Sequence, residues 1–213
     1  MGNLFSKDPF RAVQTWDDLL QVNILFLEGK IWGTPYHHGP LEPDSVPLMG
    51  KLVALHRYGF FSINGQGSLV NEWERQRSFI TGFLSADHAE GLANYFQKHR
   101  KSFVGRILYL RRQAGSTYLK NDLYYSDARL NERTPYNLTQ TRSRKDMVWR
   151  FFTNFPTTDS ATLDEYGYES SLFGKYPNIM SLLVDNLFVE VAAVTYGRGS
   201  TEDFLLKYFK NAK

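Results

Sequence analysis

Apolar residues recur at helical spacing in several stretches. Trp16, Leu19, Leu20, Ile24 and Leu27 make one face of a helix that starts at a Thr15/Asp18 capping box and stops at Gly29. Leu48, Met49, Leu52, Leu55 and His56 predict a second helix, capped by Asp44 or Ser45 and ended by Gly59. Leu92, Tyr95, Phe96 and His99 predict a third, behind Asp87 and Glu90. Further helices are expected over 143–154, after Pro177, and after Ser200 and Asp203. Between them lie short aromatic and β-branched runs: Phe60–Ile63, Arg77–Leu84, Phe103–Arg111, Thr117–Tyr125 and the nearly continuous apolar Leu187–Thr195.

Helices and strands intermix along the whole length, without repeats or a Gly/Ser linker. The expected fold is therefore α/β or α+β, a single domain over 15–213 with a mixed β-sheet packed by five to six helices. Residues 1–14, interrupted by Pro9, read as a mobile arm. Residues 30–47 carry Gly33, Pro35, Gly39, Pro40, Pro43 and Pro47 and read as a long stiffened loop, with Trp32 and Tyr36 packing it. Asn64-Gly65-Gln66-Gly67 reads as the start of a hairpin turn. The loops expected over 126–140 and from 155 to about 176 complete the pass.

Composition narrows the function classes. Hydrophobic residues make up 42% and aromatics 15% of the chain, enough for a packed core and too much for a disordered protein. Neither an apolar run long enough to span a bilayer nor a secretory signal is expected. The absence of cysteine excludes disulfides, a thiol nucleophile and palmitoylation. The net charge of +3 is too weak by itself to imply nucleic acid, but the bases are unevenly placed. Lys98, Arg100, Lys101, Arg106, Arg111 and Arg112 stand in one stretch without an acid, a candidate contact for an anionic membrane surface or RNA. A solvated face explains the same run.

The first seven residues, Met-Gly-Asn-Leu-Phe-Ser-Lys, fit the N-myristoylation pattern M-G-x-x-x-[ST], with Gly2 as the acylated residue.

Trp16-x-x-Leu19, Leu27-Glu28-Gly29, Leu52-x-x-Leu55-His56-Arg57-Tyr58-Gly59-Phe60, Asn64-x-Gln66-x-Ser68 and Gln76-Arg77-Ser78-Phe79-Ile80-Thr81-Gly82-Phe83 follow one another in an order that resembles an uncharacterised domain family of actinobacterial proteins, with members in fungi and large DNA viruses. Val194-Thr195-Tyr196-Gly197-Arg198 resembles the closing motif of that family, so the resemblance runs from about Trp16 to Tyr208 and is strongest over Leu52 to Phe83. The chain departs from it after the first strand, where Asn64-Gly65-Gln66-Gly67 replaces Ser-Gln-Pro-Gly. The family has no assigned activity, so the resemblance supports fold and domain count alone.

Candidate chemistry is sparse. His37, Asn64, Gln66, Arg75, Gln76 and Arg77 are the candidate ligand-binding residues, because a glycine-rich turn exposes N–H groups and arginine offers a planar fork for phosphate or carboxylate. Satisfaction of loop backbone explains the same residues. No P-loop, G-x-G-x-x-G or G-x-S-x-G motif is present, and catalytic residues stay unassigned. His37-His38 with Glu42 and Asp44 has poor spacing for a metal, so neither metal nor cofactor is expected. His56, on the apolar side of its helix, reads as a satisfied core histidine.

Three function classes stay open. The first is a non-enzymatic intracellular interaction module, tethered reversibly to a membrane through myristate and assisted by a protein partner or an anionic surface. The second is a small enzyme or ligand-binding domain with a pocket between the 30–47 loop and the 64–78 hairpin. The weakest is RNA binding through the 98–112 stretch.

Overall fold

The computed structural model describes residues 8–35, 39, 41, 43, 45–70, 75, 76, 78–99, 101–113, 116–125, 160–162, 175–184, 186–193 and 200–212. Helix α1 (Trp16–Leu27) begins as its sequence requires: the Thr15 hydroxyl accepts the N–H of Asp18 while the Asp18 carboxylate accepts the N–H of Thr15. It ends in a Schellman motif, with Lys30 N–H on Leu25 C=O and Gly29 N–H on Phe26 C=O, and Gly29 takes φ +70°. Helix α2 (Met49–Arg57) ends the same way at Gly59, φ +92°, with Phe60 N–H on Leu55 C=O. The Trp16 indole N–H donates to Gly59 C=O at 3.1 Å and ties the start of α1 to that turn.

Strands β1 (Phe61–Gln66), β2 (Leu69–Val70), β3 (Arg75–Gln76) and β4 (Phe79–Ser85) follow, then helix α3 (Ala89–His99), β5 (Phe103–Gln113), β6 (Ser116–Tyr125) and β7 (Ser160–Thr162). Helix α4 (Pro177–Val184), β8 (Asn186–Ala193) and helix α5 (Thr201–Asn211) complete the described elements. The main sheet has the order β1-β4-β8-β5-β6-β7, and β2 pairs with β3 in a separate ribbon. Strands β4 and β5 run the same way, joined by α3, and leave between them a gap that β8 fills antiparallel to both. The fold is α+β, and each described pairing in the sheet is antiparallel where mixed directions were expected, because β8 separates the two like-directed strands.

Alternation along the strands divides the core between two sheet faces. Leu187, Val189 and Val191 of β8 join Ile80, Leu84 and Ile107 beneath α2, α3, α5 and the end of α1. Phe188 joins Phe61, Ile63 and Phe83 beneath α4 and the first half of α1. Helices on both faces make three layers, each buried Phe or Leu contributing roughly 1.5–3 kcal/mol.

Several expectations change. The arm does not extend to residue 14: Pro9–Ala12 forms a 3-10 turn, and Phe10 and Val13 are buried in the core with α1 and α4. Two apolar residues in one tight turn carry no periodicity, so the sequence pattern could not register them. Asn64-Gly65-Gln66 continues β1 through a bulge after Ser62 instead of turning. Helix α2 is entered through a 3-10 turn, Val46–Leu48, with no side-chain cap from Ser45. Asp87 lies inside the 3-10 turn Ala86–His88, where its N–H is taken by the Ser85 hydroxyl. Strand β7 falls in a stretch expected to be loop. The helix expected over 143–154 lies outside the described residues.

Candidate functional site

The first described residues are docked on the body. Phe10 is 3% exposed and meets the ring of Tyr176 edge-on at 6.2 Å. The Tyr176 hydroxyl donates to Asp8 at 3.0 Å, Arg11 pairs with the same carboxylate at 3.2 Å, and the Asn178 amide donates to Val13 C=O. Desolvation first, and then the Asp8 carboxylate, raise the Tyr176 pKa, which keeps that hydroxyl a donor. Gly2 precedes this anchorage by six positions and lies outside the described residues.

The connection between α1 and α2 presents the largest exposed apolar side chains among the described residues, Trp32 at 76% and Val46 at 51%. Its neighbours hold it in place: Ile31 packs against both core clusters, and Thr34 and Pro35 are buried. Trp32 therefore stands outward from a fixed stretch, where the sequence pattern predicted that it packs the loop. His37, His38, Glu42 and Asp44 lie outside the described residues.

The second half of the expected pocket is placed in part. Asn64 is exposed on β1, while Gln66, Arg75 and Gln76 are described by their strand positions alone, the latter two on β3 beside Leu69 and Val70. Arg77 lies outside the described residues. The turn after β1 meets the end of the 30–47 loop, since a Cβ on Gly67 would sit 3.6 Å from the Leu48 side chain. The 64–78 segment thus comes close to Leu48, the residue that follows the 30–47 loop.

The basic stretch is spread out. Lys98 and Lys101 are exposed beside an open depression of about 920 Å³ that His99, Asn94, Gln97 and Ser102 also line. Arg111 and Arg112 sit at the far end of β5, roughly 27 Å of strand beyond Phe103. Arg106 stands in register with Glu190 on β8, and Thr81 and Asn64 continue that row across the sheet. Glu190 is 0% exposed. Arg100 lies outside the described residues. Around the start of the stretch, Phe204 packs on Phe103 at 4.2 Å, Tyr95 at 4.7 Å and Phe96 at 5.7 Å.

Two buried polar clusters lie in the core, and the first bears out the reading of His56 as a satisfied core histidine. In one, His56 donates Nδ1–H to Leu52 C=O at 2.8 Å and accepts from the Asn23 amide at Nε2, which fixes the neutral tautomer. Burial lowers its pKa to about 4, so it is no base for external substrate. In the other, the Ser78 hydroxyl bonds Thr201 Oγ1 at 2.7 Å and accepts Thr201 N–H, while Ser200 donates to Glu202 at 2.7 Å. Desolvation raises the pKa of Glu202 against the lowering effect of the Ser200 bond. Lys51 closes this cluster through Asp203 at 2.6 Å and Ser200 at 3.2 Å. The signal for it was Ser200 with Asp203, which does cap α5 through Asp203 N–H.

Residues 6–104 match the family described as a domain of unknown function, DUF6919, which is consistent with an uncharacterised domain family over this part of the chain. The match ends at Val104, near the start of β5, well short of Tyr208. No curated protein matches the chain.

Proposed function

We propose that this chain is a non-enzymatic intracellular interaction module, held reversibly at the cytoplasmic face of a membrane by N-myristoylation of Gly2. The observation that carries the reading is the amino-terminal sequence itself, where the acylation pattern is complete at Ser6, two positions ahead of Asp8, whose carboxylate accepts the Tyr176 hydroxyl. Among the described residues no helix is long and apolar enough to cross a membrane, so attachment through a helical span is not the alternative there. The burial of His56 and the engagement of both its ring nitrogens support a structural rather than catalytic role.

Intact mass of the chain co-produced with a eukaryotic N-myristoyltransferase tests acylation, and a gain of one myristoyl group is expected. In cells, Gly2→Ala should move the protein from membrane to soluble fractions. Unchanged fractionation overturns the reading.

The contact of Gly67 with Leu48 favours a second reading, a small enzyme or ligand-binding domain with its site where the 30–47 loop meets the 64–78 segment. A metabolite screen should then raise the melting temperature, and Arg77→Ala should abolish that rise without unfolding the protein.

A further inference from the structure

Membrane attachment by one myristoyl chain is marginal, of order 10⁴ M⁻¹, and stable attachment takes a second contact. The chain has no cysteine for a second acyl group. The basic stretch fits this purpose poorly, because Lys98 and Lys101 lie at one end of β5, Arg111 and Arg112 at the other, and Arg106 in the row of buried Glu190. What the surface offers instead is Trp32. It is 76% exposed, and with Val46 it belongs to a single connection, so the most exposed large apolar side chains among the described residues come from one segment.

We infer that Trp32 is a membrane-interface contact, inserting its indole among lipid headgroups as the partner of the acyl chain on Gly2. The inference rests on the tethering reading above. Tryptophan suits the boundary because its ring body is apolar while its N–H stays hydrogen-bonded in the wet headgroup layer. The scaffold holds the side chain out, since Ile31 is packed in the core and Thr34 and Pro35 are buried, so little ordering is needed on insertion.

Distances agree. Phe10 lies beyond the start of α1 and Trp32 beyond its end, and twelve helical residues span about 18 Å. The six steps from Asp8 back to Gly2 reach at most about 20 Å. The reach of the amino-terminal chain is therefore of the same order as the length of α1 that lies between the two anchors in sequence.

Charge sharpens the expectation. Glu28 is paired with Lys30 at 2.6 Å, and the remainder of the connection adds Glu42 and Asp44 without a further Lys or Arg. Contact through this segment is thus driven by the indole and gains nothing from anionic lipid.

The test uses the full chain, with and without myristate, and phosphatidylcholine vesicles. Trp32→Ala should lower partitioning of the acylated protein about tenfold while its melting temperature stays unchanged. Wild-type partitioning should be the same in high salt and without anionic lipid. Brominated phosphatidylcholine at high vesicle concentration should quench fluorescence of the unacylated wild type and leave Trp32→Phe unquenched, so a failure to acylate Gly2 would not remove this readout. Equal partitioning of Trp32→Ala and wild type overturns the inference while leaving acylation intact. So does binding that requires phosphatidylserine and is lost in salt, which would return the second contact to the basic stretch.

Discussion

Asn23 of α1 and His56 of α2 meet side chain to side chain in the core, the amide N–H of one donating to Nε2 of the other. The same amide reaches Ser62 C=O on β1 at 3.3 Å, so one polar side chain joins two helices and a strand. Removing it strands a buried acceptor. Asn23→Ala should cost about 2–3 kcal/mol in urea unfolding at pH 7, from the lost bonds and the unsatisfied ring nitrogen together.

The pairing also sets a pH dependence. His56 is neutral in the fold, with its pKa lowered from 6.5 to about 4. Its contribution is complete above 6.5 and is lost as pH falls toward 4, because only the unfolded chain takes up the proton in that window. The expected loss is about 3 kcal/mol, and His56→Gln should flatten that part of the stability curve.

Glu202 works with the opposite sign. Its pKa is raised above the ordinary 4.5 by burial, so its contribution is complete below 4.5 and is lost as pH climbs through the raised value. Glu202→Gln keeps an acceptor for Ser200 and abolishes the cost of a buried charge. Stability should then be independent of pH on this limb, as measured by urea melts between pH 4 and 8.

Aromatic rings lie over two strand glycines. A Cβ at Gly105 would come 2.5 Å from the ring of Phe96, and one at Gly82 would come 2.3 Å from Phe61 C=O and 2.8 Å from the ring of Phe60. These rings are buried and have nowhere to retreat. Gly105→Ala should cost about 1–3 kcal/mol, and Gly82→Ala more, since its closest neighbour is backbone. Thermal unfolding of both variants checks the order.

Thr15→Ala removes one half of a capping box on an exposed helix end. A loss of about 1 kcal/mol is expected, and Thr15→Ser should restore most of it in the same urea assay.

Much of this architecture was legible because its signals are local. Thr15 with Asp18 marked the start of α1, Gly29 and Gly59 marked two helix ends, and the apolar run from Leu187 located a strand buried on both faces. What stayed hidden depends on distant partners. Strand order is set by which edges β8 meets, and no residue of β8 announces that it belongs between β4 and β5. Phe10 looked like part of an arm because Tyr176, which it packs against, lies far along the chain. The candidate site suffered most: Trp32 reads as a packing residue in any aromatic-rich sequence, and only the burial of its neighbours shows that it faces outward. The basic stretch looked coherent in one dimension, and strand geometry then distributed it along β5.

Strand β8 occupies the interior of the sheet, yet it is translated after all its neighbours. While a ribosome is still adding residues before Asn186, β4 and β5 have emerged with the hydrogen-bonding edges that β8 will cover. The middle of the sheet thus closes only once β8 has been made. During that interval the unfinished chain carries two strand edges without their partner, the kind of edge through which nascent chains aggregate.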